Sequence, residues 1–253
     1  MYKEKYPVHP DAEDFVVPHQ SDIAILFVHG FTGTPFHFRR YARFFNEKGI
    51  YIRAMRLPGH GTHINDLMDT SYLDWREAVH NELKQLAKIK KKIFLLGYSF
   101  GGDLSLDAAM HYPDLLTGVI LVSPPIFIKR GIILRNLARL YKFFTNIKSR
   151  PRPGAMRGSN ILEGGSYSDI PVKSALEFFE YIDNFIKPNL DKVKIPALIL
   201  YSDNDPLVSS SSSMFVYKKL GSEDKELINL ENENRYPPGF LRLETLILEG
   251  TKV

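Results

Sequence analysis

Ile93-Phe94-Leu95-Leu96-Gly97-Tyr98-Ser99-Phe100-Gly101-Gly102-Asp103-Leu104 is the stretch on which the reading of this chain turns. Four apolar residues lead straight into Gly-x-Ser-x-Gly, and a helix-like segment, Gly102 to Met110, follows. That strand–turn–helix order is the setting in which a serine is held on a sharp, strained turn with its hydroxyl exposed. Side chains at Gly97 or Gly101 would collide with the neighbouring strand and helix. The helix start after Ser99 presents the N–H of Phe100 to the space above the hydroxyl.

Outward from this turn, short apolar runs alternate with helix-like stretches, the pattern of βα units and a mostly parallel sheet flanked by helices. Ile23 to Val28, Tyr51 to Met55, Ile93 to Leu96, Gly118 to Val122 and Ala197 to Tyr201 read as buried strands. Phe36 to Lys48, Ser71 to Lys90, Ser99 to His111 and Ser213 to Leu220 read as helices, with Trp75 as core packing. His29-Gly30-Phe31-Thr32-Gly33 closes the first strong strand. A glycine-rich turn there can aim a second backbone N–H at the space above Ser99. Neither Gly-Lys-Ser/Thr nor G-x-G-x-x-G is present to support phosphate binding instead. The rhythm breaks between about residues 125 and 191, which reads as a helical cap inserted in one domain spanning 1–253.

At 253 residues and 44% apolar the chain can bury one substantial core. It has no cysteine, so disulfides, thiolate metal sites and a cysteine nucleophile are excluded. No motif calls for a cofactor. His60 and His63, three apart in the loop Pro58 to His63, read as loop hydrogen-bonders and not as metal ligands. A formal charge of +4 gives no reason to expect nucleic acid. Met1 to Pro18 has no apolar core of a signal peptide, and no run approaches a membrane span, so a cytoplasmic protein is expected.

Four stretches, Val28-His-Gly-Phe-Thr-Gly-Thr-Pro35, Arg56-Leu-Pro-Gly-His-Gly-Thr62, Gly97-Tyr-Ser-Phe-Gly-Gly102 and Tyr201-Ser-Asp-Asn-Asp-Pro206, occur in the order in which they stand in bacterial carboxylesterases and monoacylglycerol lipases. Over about residues 10 to 232 the chain resembles that α/β-hydrolase family. The resemblance implies Ser99 as nucleophile, Asp205 as the acid of a triad, and the backbone amides of Phe31 and Phe100 as oxyanion donors. Asp203 competes with Asp205 within the same acidic turn, and either residue type also forms turns for its own sake. The implied substrate is a small acyl ester of short or medium chain, or a monoacylglycerol.

One part of the family pattern is missing. The order Ser, Asp, His requires a histidine after Asp205, yet all eight histidines lie at or before residue 111. The resemblance puts the base in a loop after the last strand, here Glu226 to Asn232, with the aligned slot at about Arg235. Arginine stays protonated and accepts no proton from serine. Three readings remain: recruitment of His29 or His60, a chain that binds without turning over, or a shifted reading frame after Asn234. Arg235-Tyr-Pro-Pro-Gly-Phe240 can be encoded so that, read one base later, it gives Val-Ile-His-Leu-Asp, which resembles what the family carries beyond its histidine.

Between Ile126 and Gly158 there are nine basic residues and no acidic one. Without them the chain is net acidic. Ile133, Leu137, Leu140, Tyr141 and Phe144 fall at helical spacing with Arg135, Arg139 and Lys142 on another face, which describes a basic amphipathic helix. Such a helix suits a lid over an apolar pocket, and peripheral contact with anionic lipid. A ligand-binding protein without turnover and a serine peptidase of the proline-iminopeptidase type are the alternative functions.

Overall fold

The computed structural model describes residues 2–129, 165–167 and 169–231. Seven strands, β1 (Phe15–Val17), β2 (Ile23–Val28), β3 (Tyr51–Met55), β4 (Lys92–Tyr98), β5 (Gly118–Val122), β6 (Ala197–Tyr201) and β7 (Lys225–Asn229), form one sheet in the order β1-β3-β2-β4-β5-β6-β7. Only β1 runs antiparallel, against β3; the other neighbours are parallel. The helices are α1 (Arg39–Glu47), α2 (Ile64–Asp69), α3 (Tyr72–Leu86), α4 (Phe100–His111), α5 (Val172–Tyr181) and α6 (Ser210–Lys219). α5 continues through a π-helical turn, Ile182–Ile186, into a 3-10 turn, Lys187–Lys192.

Strand β2 shows why the central strands read as unbroken apolar runs. Ala24, Leu26 and Val28 enter the core beneath α3, α4 and α5, while Ile25 and Phe27 enter a second core with Phe38, Ala42 and Phe45 of the α1 region. A strand buried on both faces has no polar side to display. Because α1 after β2 and α4 after adjacent β4 go to opposite faces, a crevice opens at the carboxyl ends of these two strands, where open α/β sheets hold ligands. Trp75 is fully buried, as expected.

Several elements differ from the sequence reading. β7 occupies most of Glu226 to Asn232, which was expected to be loop: its Leu227 and Ile228 are the only apolar pair among charged neighbours. β1 is a three-residue edge strand. α6 begins three residues before the expected Ser213, because the hydroxyl of Ser209 accepts the Ser211 N–H and starts the helix within the serine run. The amino-terminal segment is docked, with Arg56 Nη2 donating to Glu4 Oε2 at 2.8 Å and Tyr2 Oη to Asp66 Oδ1 at 2.9 Å. The basic amphipathic helix expected around Ile133 to Phe144, the rest of 130–164, and the slot at Arg235 lie outside the described residues. Among the described residues no helix is long and apolar enough to cross a membrane.

Candidate active site

Ser99 has φ 51° and ψ −123°, a conformation that an L-residue adopts only when its surroundings enforce it. They do so from both sides. The Ser99 N–H donates to Val122 O at 2.7 Å, prolonging the β4–β5 ladder, and Gly102 N–H donates to Ser99 O at 2.7 Å, opening α4. A Cβ on Gly97 would sit 2.3 Å from Gly101 O, and one on Gly101 would sit 2.0 Å from Val28 O. Both flanking glycines are therefore dictated by backbone-to-backbone approach, as the motif implied. Phe100 is the first residue of α4, so its N–H has no acceptor within the helix.

The loop after β2 lies against this turn: a Cβ on Gly30 would be 3.2 Å from Ser99 Cβ. The Gly30 carbonyl is held twice, by Gly33 N–H at 2.9 Å and by His29 Nδ1–H at 2.9 Å. In a trans peptide the N–H points opposite to the C=O. Phe31 N–H is thereby turned away from the His29 ring.

His29 has both ring nitrogens committed to backbone, whereas His60 has one committed and its buried Nε2 without a partner among the described residues. The His29 ring spends Nδ1–H on Gly30 O, and its Nε2 accepts from Leu57 N–H at 3.0 Å. Burial holds its pKa well below the ordinary value. His60 donates Nδ1–H to Pro58 O at 3.0 Å, and burial pushes its pKa down to about 4. His63 Nδ1 accepts the Asn65 N–H at the start of α2, so His60 and His63 serve separate backbone partners. Among the described residues no histidine hydrogen-bonds Ser99.

In the acidic turn after β6, Asp205 Oδ1 accepts from Leu207 N–H and Val208 N–H, each at 2.8 Å. Its Oδ2 accepts no hydrogen bond from a described residue. Asp203 is committed elsewhere, Oδ2 accepting from Asn229 Nδ2 at 2.7 Å. The sequence reading missed Glu231, which follows β7 and closes the same turn: Oε1 accepts from Asn204 N–H at 2.7 Å and bonds Ser202 Oγ.

Two further features of α4 were also missed. Asp103, one turn beyond Ser99, is fully buried with neither oxygen partnered among the described residues, and desolvation raises its pKa well above the usual carboxylate range. His80, Asp107 and His111 bring ligand-type atoms within 4.8 Å of one another. A cation already stands among them: Arg76 Nε donates to Asp107 Oδ2 at 2.9 Å and Arg76 Nη2 to His111 Nε2 at 2.7 Å. This network ties α3 to α4. The i, i+4 pairs Arg76/His80 and Asp107/His111, each on one face of its helix, were the sequence signal that could have hinted at it.

Comparison with known proteins places the chain in a family. The family described as Hydrolase_4, serine aminopeptidase, S33, matches residues 19–232. A thermostable monoacylglycerol lipase of Bacillus sp. (strain H-257) is 30% identical over 230 residues, covering 90% of this chain and 88% of its own. A carboxylesterase of Bacillus subtilis (strain 168) is 25% identical over 213 residues, 81% of each chain. Among solved structures, one from the metagenome-derived lipolytic enzymes LipS and LipT superposes with a TM-score of 0.82 at 26% identity, covering 96% of this chain and 100% of its own. The monoacylglycerol lipase of Paleococcus ferrophilus shares the fold, with a TM-score of 0.75 at 18% identity over 93% of this chain and 98% of its own.

Proposed function

The chain belongs to the Hydrolase_4 family, among the α/β-hydrolases that include carboxylesterases and monoacylglycerol lipases, and from that membership we propose a serine ester hydrolase acting on short- or medium-chain acyl esters or monoacylglycerols. Ser99 is the nucleophile, the N–H groups of Phe31 and Phe100 receive the oxyanion, and Asp205 is the acid of the triad. The carrying observation is the strained Ser99 turn, with both flanking glycines pressed against backbone. Asp205 is preferred over Asp203 because two backbone amides fix its Oδ1 and so orient its open Oδ2, whereas Asp203 is held by one bond to the Asn229 side chain.

The chain as written lacks the base half of this chemistry. His29 spends both ring nitrogens on backbone, and burial makes both His29 and His60 weak proton acceptors, which argues against recruitment. With an arginine at the slot, turnover falls to the residual catalysis of a triad missing one member, on the order of 10³ to 10⁴ over water. A shift of frame after Asn234 accounts for both the arginine and the Pro237-Pro238-Gly239 run. The chain is one domain in which residues 125–191 form a cap, and the basic stretch between 126 and 158 makes peripheral contact with anionic lipid. Co-sedimentation with liposomes that does not depend on anionic lipid would remove that last point.

Hydrolysis of p-nitrophenyl butyrate by the native chain and by Ser99→Ala, beside an amino-acyl p-nitroanilide, tests the reading. Weak ester cleavage that disappears in Ser99→Ala is expected. Preferential anilide cleavage would favour the peptidase that the family description names. Thermal stabilisation by a monoacylglycerol without any Ser99-dependent cleavage would favour a binding protein.

A further inference from the structure

Thr32 lies between the proposed oxyanion donor Phe31 and Gly33, and it is a buried, β-branched residue at φ 66°. Such a conformation costs about 1–3 kcal/mol and persists only where its surroundings over-determine it. One constraint comes from 135 positions away in the chain. The Thr32 carbonyl accepts the backbone N–H of Tyr167 at 2.9 Å. Tyr167 is itself fully enclosed, and its hydroxyl is used twice, donating to Gly59 O at 3.0 Å and accepting from Thr62 N–H at 2.9 Å. The residues before it are seated on the same loop. Ser166 Oγ lies 3.2 Å from His37 Nε2, and a Cβ on Gly165, at φ 77°, would come 2.4 Å from Thr34 Oγ1.

We propose that Tyr167 is a positioning residue for ester hydrolysis: its phenol, anchored in the Gly59–Thr62 turn, fixes the backbone N–H that holds Thr32, and so holds the loop that presents Phe31 N–H to the oxyanion. The proposal rests on the reading of Phe31 as an oxyanion donor. Tyr167 touches no reacting atom. Its effect reaches the reaction through the orientation of one loop, which joins residues 30–37, the turn at 59–62 and the segment entering α5 into a single hydrogen-bonded unit. Removing the hydroxyl leaves Thr62 N–H and Gly59 O buried without their partner.

An alkylboronic acid, which forms a tetrahedral adduct on a reactive serine and mimics the oxyanion, tests this without turnover. Tyr167→Phe is expected to bind butylboronic acid about tenfold more weakly than the native chain, the effect of losing one or two net hydrogen bonds. Amide exchange at Gly33, whose N–H holds Gly30 O, is expected to quicken while exchange in α3 does not change. Unchanged boronate affinity would overturn the proposal. So would exchange that quickens uniformly along the chain, since that is what general destabilisation gives. Failure of both the native chain and Arg235→His, which carries an imidazole at the aligned base slot, to form any Ser99 adduct overturns the oxyanion reading itself, and is distinguishable because Tyr167 is intact in both. Should Tyr167→Phe not fold, the native chain still decides: adduct formation is expected to slow exchange of the Tyr167 amide about tenfold, by reciprocity of coupling, and no change would overturn the proposal.

Discussion

Around Ser99 the backbone is fixed by the core, with Gly97 and Gly101 pressed against strand and helix and the Gly30 carbonyl held by two donors, whereas around Asp205 short polar loops do the holding. Asp205, Asn204 and Ser202 are tied to neighbouring amides and to Glu231, in a turn that is exposed or half-exposed. The two regions answer to different constraints. The Ser99 turn is part of how α4 packs on β2 and β4, so a chain that folds at all keeps it. The turn that carries Asp205, the proposed acid, is a loop whose loss leaves the sheet standing, so on the proposed reading a chain can retain the Ser99 turn without the rest of the apparatus.

The sharpest way to break this contrast is to place a methyl group in each half of the α4 start. Gly101→Ala puts a Cβ 2.0 Å from Val28 O and is expected to cost more than about 3 kcal/mol by overpacking. Gly102→Ala meets ordinary contact, at 3.4 Å with Gly97 O and with Pro124 Cβ, and is expected to stay within about 1 kcal/mol of the native chain. Urea midpoints of the two variants decide it; equal midpoints would mean that the elbow is not held by the core.

A second, smaller effect is expected in mild acid. His60 is buried and its pKa is lowered to about 4, so in the folded state it resists a proton that the unfolded chain takes up from about pH 6.5. Stability therefore falls as pH falls between those values, by about 2 kcal/mol between pH 7 and pH 5 from His60 alone. His29 acts in the same direction. Denaturant unfolding that is flat between pH 7 and pH 5 would contradict the assignment of both rings as neutral loop anchors.

The smallest effect concerns Asp103. Its raised pKa means that the folded state is penalised as pH rises above the unfolded value, so the carboxyl is least harmful in acid. Asp103→Asn is expected to gain about 1–2 kcal/mol at pH 8, and that gain is expected to vanish near pH 4. A gain that does not depend on pH would sink the explanation.

Much of the Ser99 turn was legible in the sequence because glycine, serine and helix start are consecutive residues whose packing demands are local. The five central strands were legible for a related reason: burial on both faces leaves unbroken apolar runs such as Ile23 to Val28. β1 and β7 were not, since edge strands of three and five residues carry too little pattern. Nor was the docking of the amino-terminal segment, which depends on pairs such as Glu4 with Arg56 and Tyr2 with Asp66, more than fifty positions apart. Tyr167 was invisible for the same reason, as its partners Thr32, Gly59 and Thr62 lie in two other loops. At Asp205 the sequence left Asp203 open, and the Asn229 amide from which Asp203 accepts belongs to the unforeseen β7.

The central claim, an intact nucleophile half without its base, is tested most directly by steady-state hydrolysis of p-nitrophenyl butyrate in the native chain, Arg235→His, and Arg235→His combined with Ser99→Ala. The expected result is native turnover far below the roughly 10 per second typical of enzymes. Arg235→His is expected to raise it about 10²- to 10⁴-fold, the usual contribution of a positioned general base, and the added Ser99→Ala to abolish the gain. Native turnover at ordinary esterase rates, or a gain in Arg235→His that survives the loss of Ser99, would contradict it.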